Sequence, residues 1–190
     1  FAGKSRGGLY GDTVEELDWS TGVILDTLRD LKLDARTLVI FTNDNGAPSR
    51  GGANAAKKAG AAKENFPGRQ LAGSNGPLRS GKGTTFEGGV RVPFIAWWPG
   101  RVKAGAESNH VAGFVDWMGT AAELGGATPP ANIDSISFAP TLTGEGTQAK
   151  HEFLYWEFHE KNFQQAALLN GRWKGIRTGL NGPVALYDLE

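Results

Sequence analysis

Leu38-Val39-Ile40-Phe41-Thr42-Asn43-Asp44-Asn45-Gly46 is the stretch from which the rest of the chain is read. Its four leading apolar residues are rich in β-branched types and show no alternation, the pattern of a strand covered on both faces of a parallel sheet. The run then stops abruptly at a carboxylate, a carboxamide and a glycine. In an open α/β sheet, ligands bind beyond the carboxyl ends of the strands, so Asp44 and Asn45 leave the predicted sheet where chemistry is usually found. Their side-chain oxygens are hard donors, suited to Ca²⁺ or Mg²⁺. Asn-Asp-Asn-Gly is equally good turn chemistry, and the tetrapeptide by itself does not separate the two readings.

Upstream, Phe1 to Gly8 reads as a basic, glycine-rich linker with Lys4 and Arg6. Asp12, followed three residues later by Glu15, predicts a capping-box start to a helix. Val14, Leu17, Thr21, Ile24, Leu25, Leu28 and Leu31 recur on one helical face, and the helix is expected to run about five turns and end near Lys32 to Asp34. Helix then strand over a short connection is half of an α/β unit.

Downstream, Ala47 to Asn75 is dominated by Gly, Ala, Lys, Asn and Ser and carries Lys57, Lys58 and Lys63. It reads as a long loop, either a functional rim beside the candidate site or a surface insertion. Then comes Leu78-Arg79-Ser80-Gly81-Lys82-Gly83-Thr84-Thr85-Phe86-Glu87-Gly88-Gly89-Val90-Arg91-Val92-Pro93. Glycine on both sides of Lys82 lets backbone approach a ligand while the ammonium acts as a point charge on an oxyanion. The other reading is a glycine-rich turn with a solvated lysine. The segment is not a Walker loop, because the upstream glycine spacing and the following helix are missing. Glu87 and Arg91 are spaced to pair with each other and read as structural.

Phe94 to Trp98 reads as a second apolar strand closed by Pro99-Gly100. Phe114 to Leu124 reads as a helix with Asp116 as its cap and Gly125-Gly126 as its stop. Near Ile136 the pattern becomes antiparallel. Strands are expected at 153–158, 167–169, 172–177 and 184–187, with Asn170-Gly171 as a tight hairpin turn. The predicted organisation is an α/β region over residues 1–135, including the long loop at 47–75, and a small antiparallel β subdomain over 136–190. The six Trp read as core or interface filler. His110, His151 and His159 lack metal-ligand spacing and read as structural.

Composition narrows the function classes. The chain has 190 residues, with 20 Lys plus Arg against 20 Asp plus Glu. A net charge of zero gives no global field for nucleic acid or an anionic membrane. There are no cysteines, so disulfides, thiolate metal sites and a cysteine nucleophile are excluded from this segment. No apolar run approaches the roughly 18 residues of a membrane helix. Phe1 is not an initiator methionine and the only Met is Met118, so the chain is expected to be part of something longer.

Taken in order, the strand ending in Asp44-Asn45-Gly46, the variable loop, and Leu78 to Pro93 with Lys82 resemble the type I sulfatases of the alkaline-phosphatase-like superfamily. The likeness extends over Leu17-Asp18, the Asp116 helix, Pro140-Thr141-Leu142-Thr143-Gly144, Asn170-Gly171-Arg172-Trp173-Lys174 and Leu186-Tyr187-Asp188-Leu189, stations of the C-terminal portion of such an enzyme. The resemblance implies an α/β core with a mainly parallel sheet flanked by helices, followed by the antiparallel subdomain. By that similarity Asp44 and Asn45 are ligands of a divalent cation, Ca²⁺ or Mg²⁺. Lys82 is the sulfate contact, and the substrate is a sulfated small molecule or sulfated glycan. Phosphodiesterase relatives tend to carry His after the Asp, and imidazole suits their two transition-metal ions better than the amide of Asn45 does.

The departure from the family pattern is equally plain. Sulfatases hold their nucleophile in a Cys/Ser-x-Pro-x-Arg motif whose first residue becomes formylglycine, and no such motif occurs between residues 1 and 190. It is expected upstream, as are the remaining acidic metal ligands. The isolated segment is therefore expected to be catalytically silent and its metal site empty. A periplasmic, secreted or lysosome-like location is what the resemblance implies. A phosphate or phosphonate ester hydrolase of the same superfamily and a non-catalytic glycan-binding module are the competing readings.

Overall fold

The computed structural model describes residues 1–48, 73–160 and 163–190. Most of the expected loop at 47–75, with its three lysines, lies outside the described residues. The chain divides into two compact units, one made of Phe1–Thr37 and Phe41–Phe94, the other of Leu38–Ile40 and Ile95–Glu190.

In the first unit the long helix α1 spans Gly8–Asp30, with Leu31 as C-cap. It starts about a turn earlier than the sequence pattern predicts, because Asp12 is not its cap. Gly7 is the N-cap, and no side chain caps the first turn. The Asp12 carboxylate instead accepts backbone N–H bonds from Gly3 at 2.8 Å, Lys4 at 3.1 Å and Ser5 at 2.8 Å, folding the lead-in back over the helix. The apolar stripe of α1 is present but only partly covered: Val14, Leu17, Ile24 and Leu31 are exposed, while Thr21, Leu25 and Leu28 are half-buried. A 3₁₀ turn at Asp34–Arg36 leads into β1, Val39–Thr42.

β1 pairs with β2, Phe94–Trp97, in a two-stranded sheet. The expectation that β1 is covered on both faces is not met. Val39, Ile40 and Thr42 are half-buried and Phe41 is exposed. Each of these two strands has one hydrogen-bonded neighbour among the described residues, which is too little to enclose an unalternating apolar run.

The second unit holds the buried apolar core. The 3₁₀ turn Phe114–Asp116 runs directly into α3, Trp117–Leu124, which stops at Gly125. A short helix α4 spans Ala139–Thr143 and closes on Gly144 in the left-handed conformation, φ 72°. Four strands follow: β3 Phe153–Phe158, β4 Gln164–Leu169, β5 Trp173–Thr178 and β6 Val184–Asp188. They form an antiparallel meander in chain order. Asn170 and Gly171, both at positive φ, are the central residues of the turn closed by the Arg172 N–H to Leu169 O bond at 3.1 Å, but Leu169 pairs with Trp173, so the β4–β5 connection is the three residues 170–172 and not the two-residue hairpin the sequence predicts.

Register places Leu154, Leu168, Lys174 and Tyr187 in one cross-strand row, and Trp156, Ala166, Ile176 and Ala185 in the next row of that face. On this face Leu154, Leu168, Ala166, Ile176 and Lys174 are buried, with Phe138 and Ala139 completing the apolar core. The Lys174 ammonium lies 5.1 Å from the Trp156 ring centroid, a cation–π placement that offsets part of the cost of burying it. Among the described residues, no helix is long and apolar enough to cross a membrane.

Candidate functional site

The first unit brings the two sequence motifs together through main chain. Past the end of β1, Asp44 is exposed, Asn45 half-buried and Gly46 buried. The Gly46 N–H donates to Gly89 O at 3.0 Å, and the Lys82 N–H donates to Ala47 O at 3.0 Å. The Asp44–Ala47 turn and the Lys82 loop are therefore backbone neighbours, although 37 positions separate Asn45 from Lys82. The Thr42 hydroxyl donates to Pro93 O at 2.8 Å, fastening the end of β1 to the residue before β2.

This approach requires glycine. A Cβ built at Gly46 would lie far inside contact distance of Gly88 O, and one at Gly89 would collide with Thr84 O and Gly81 O. Glu87-Gly88-Gly89-Val90 forms the single turn α2, with the Glu87 and Arg91 carboxylate–guanidinium pair at 4.0 Å across it. That pair is the structural one its spacing predicts. The Arg79 guanidinium lies 4.4 Å from the Phe86 ring centroid and helps hold the loop closed on itself.

The residue that sequence reasoning missed is Asn75. Its Oδ1 accepts the Ala47 N–H at 2.7 Å, and its Nδ2 donates to Ala47 O at 2.8 Å and to Ser80 O at 2.8 Å. One carboxamide thus touches the turn after Asp44-Asn45 and the loop before Lys82. Ser80 sits in the left-handed region at φ 66°, a conformation costly for a residue with a Cβ. The only signal in the sequence was Asn75-Gly76 itself, which reads as ordinary turn chemistry.

The side chains suit a hard cation and an anion. Asp44 Oδ1 accepts the Asn45 N–H at 2.9 Å, and Asn45 Nδ2 donates to Gly46 O at 3.1 Å. That geometry uses the donor half of the Asn45 amide and keeps its oxygen as the ligand-capable end. Lys82 is exposed. Among the described residues no group of three or more His, Cys, Asp or Glu could hold a metal ion.

The histidines divide by environment in the second unit. Asp116, fully buried, accepts from Gly113 N at 2.8 Å through Oδ2 and from Ile136 N at 2.8 Å through Oδ1. His151 Nε2 lies 2.7 Å from the same Oδ1. Thr120 donates to Asp116 O and accepts the Phe138 N–H, extending the network to the core. The His110 Nδ1 is buried with no hydrogen-bond partner among the described residues. Burial lowers the His110 pKa from its ordinary 6.5, Asp116 opposes that shift, and His151 and Lys150 add to it. Asp116 is thus more than the helix cap the sequence suggests: it ties residues 113, 136 and 151 to one carboxylate.

Comparison with known proteins adds the context. The family profile described as Sulfatase matches residues 5–127, and the one described as N-sulphoglucosamine sulphohydrolase, C-terminal, matches residues 81–189. The chain is similar to N-acetylgalactosamine-6-sulfatase of Homo sapiens, 44% identical over 144 residues, 75% of this chain and 24% of that protein. It is also similar to Homo sapiens steryl-sulfatase, 40% identical over 157 residues, 82% of this chain and 25% of that protein. Among solved structures, Ps i-CgsB in complex with k-i-k-neocarrahexaose superposes with a TM-score of 0.71 at 28% identity, covering 92% of this chain and 34% of that one. The chain spans about a quarter of the length of the curated relatives it matches.

Proposed function

The chain belongs to the sulfatase family, and from that premise we propose that it forms one wall of an active site that hydrolyses a sulfate ester to an alcohol and inorganic sulfate. Asp44 and Asn45 hold the divalent cation, Ca²⁺ or Mg²⁺, through one carboxylate and one carboxamide oxygen. The donor set fits such an ion, which takes roughly six to eight oxygens in the case of Ca²⁺, so most of its coordination comes from groups other than these two. When bound, the cation supplies electrostatic stabilisation of charge on the sulfate oxygens. The Lys82 ammonium contacts the sulfate and offsets the negative charge that grows on its oxygens as the S–O bond breaks. The nucleophile is the formylglycine of the family, whose motif lies outside residues 1–190. In this reading residues 1–135 carry the site and residues 136–190 form the antiparallel subdomain.

The observation that supports this reading best is the backbone join of the two motifs, Lys82 N to Ala47 O and Gly46 N to Gly89 O. It sets a hard-oxygen pair and a glycine-flanked ammonium on adjoining loops, as one charged ligand held between cation and lysine requires. The proposed substrate is a sulfated glycan or sulfated small molecule, and the names of the two relatives above cover both kinds. An amide at position 45 favours a single hard cation over a pair of transition-metal ions, which counts against a two-metal phosphodiesterase, while the phosphate or phosphonate ester alternative shares the cation and is separated by substrate profiling.

Lys82→Ala in the full-length enzyme tests the reading. Turnover of a sulfate ester is expected to fall by on the order of 10²–10³-fold, the usual cost of deleting one group that stabilises transition-state charge. An unchanged rate would return Lys82 to the solvated surface. Faster hydrolysis of the matching phosphate ester by the unmodified enzyme would favour the alternative.

A further inference from the structure

We infer that Asn75 is a positioning residue for this site, its carboxamide fixing the register between the Asp44–Ala47 turn and the loop that presents Lys82. The inference rests on the roles proposed above for Asp44, Asn45 and Lys82. The partners of the amide define its orientation. Asn75 Oδ1 faces a backbone N–H, and Nδ2 faces two backbone carbonyls, Ala47 O and Ser80 O. Ala47 O also receives the Lys82 N–H, so one carbonyl oxygen is shared by the clamp and by the lysine it positions. The same oxygen lies three residues after Asp44 and two after Asn45. Displacement of the clamp is transmitted to both halves of the site through one atom.

The clamp also accounts for the backbone at Ser80. A non-glycine residue at φ 66° persists only where its surroundings over-determine it. The bond from Asn75 Nδ2 to Ser80 O, with the Gly88 N–H to Arg79 O bond at 2.8 Å, supplies that constraint two residues before Lys82. No other side-chain type of this size presents one acceptor and two donors in a plane. Aspartate would set carboxylate oxygen against two carbonyl oxygens, and alanine would leave the Ala47 N–H and Ser80 O to water and Ala47 O with the Lys82 N–H alone.

The test uses the full-length enzyme and two independent readouts. In hydrogen exchange, Asn75→Ala is expected to speed exchange at the Ala47 and Lys82 amides by on the order of tenfold, the loss of about one net hydrogen bond, with amides of Phe94 to Trp97 unchanged. In turnover of a sulfate ester, Asn75→Ala is expected to lower kcat/KM by about 10²-fold, the scale of a roughly 1 Å misplacement of a reacting group. Asn75→Asp should be at least as damaging. Ser74→Ala, on the adjoining exposed turn, should leave the rate unchanged. Adding Asn75→Ala to Lys82→Ala should then cost clearly less than the product of the two single losses, because part of the clamp's effect passes through the lysine and part through the Asp44–Ala47 turn.

Unchanged exchange at Ala47 and Lys82, an Asn75→Ala rate near that of the parent, or full multiplicative losses in the double variant would each overturn the inference. Full activity of Lys82→Ala together with accelerated exchange in Asn75→Ala would instead overturn the site reading, leaving the clamp as a structural feature. Should Asn75→Ala not yield folded enzyme, Asn75→Ser keeps one donor and one acceptor in a smaller volume and is expected to show the same pattern at about a tenth of the kinetic loss.

Discussion

Replacing Asp116 with alanine is the most demanding stability test of the second unit. The carboxylate is fully buried and receives the Gly113 N–H, the Ile136 N–H and the His151 Nε2 contact, all within 2.8 Å. Alanine leaves two backbone donors and an imidazole without that acceptor, and with each buried group left unsatisfied costing about 1–3 kcal/mol the loss should be about 3–5 kcal/mol. With a urea slope of about 2 kcal/mol per M, the unfolding midpoint should drop by about 2 M. Tryptophan fluorescence follows the transition, with Trp117 next to Asp116 and its ring 6.2 Å from that of Phe138 among the reporting groups. Asp116→Asn keeps the volume but must aim its NH₂ either at the Gly113 N–H or at the Ile136 N–H and His151, so its loss should be about half as large. The surface pair of Arg172 with Asp188, bidentate at 2.9 and 2.8 Å but more than a third exposed, is the control. Asp188→Ala should shift the midpoint far less. A drop below about 0.5 M for Asp116→Ala would refute the claim that this carboxylate is the joint of residues 113, 136 and 151.

Two pH effects follow from groups whose titration the fold perturbs. Asp12, held by three backbone N–H groups, has its pKa lowered from 3.8, so its contribution is fully present above about pH 4 and lost as pH falls through the lower folded value. Asp12→Ala should be less stable than the parent at pH 6, and the urea midpoints of the two should converge below pH 3. His110 has its pKa lowered from 6.5 mainly by burial, with Asp116 opposing and His151 and Lys150 reinforcing the shift. The unfolded chain therefore takes up this proton before the folded one, stability is full above about pH 6.5 and falls as the pH drops below it. His110→Gln should flatten the midpoint between pH 7.5 and 5.5, and an unchanged slope would reassign that dependence to another group.

Much of the fold was legible because its signals are local. Asn170-Gly171 names its own turn, since both residues must take positive φ, and the strands on either side follow from it. Gly125 ends the helix its position predicts. Glu87 and Arg91 meet across one helical turn as their spacing requires. Asp12 was misread because a carboxylate three residues before a glutamate satisfies the capping-box pattern, while the donors it actually serves lie seven to nine residues earlier in a lead-in with no periodicity. Arg172 and Asp188 were recognised as two separate stations of the family. The register of β5 and β6, which pairs Trp173 with Asp188, is what brings them into one ion pair.

The limits of the reading have a common physical cause. A hydrophobic period reports which face of an element is apolar, not what covers it. Leu17 and Ile24 of α1 share the face the pattern assigns and are both exposed, at 53% and 57%. Chemistry at a site behaves the opposite way. Asp44, Asn45 and Lys82 are visible as residue types because the ligation and charge stabilisation proposed for them need particular atoms, yet their placement depends on main-chain groups that every residue possesses. Lys82 N to Ala47 O and Gly46 N to Gly89 O leave no mark in the sequence beyond the glycines that make room for them. Asn75 belongs to that second class: its side chain serves only backbone atoms, so its sequence signature is that of any turn asparagine. Residues that position a site through main chain are therefore the ones a motif search passes over, and in this chain they carry the geometry on which the motif residues depend.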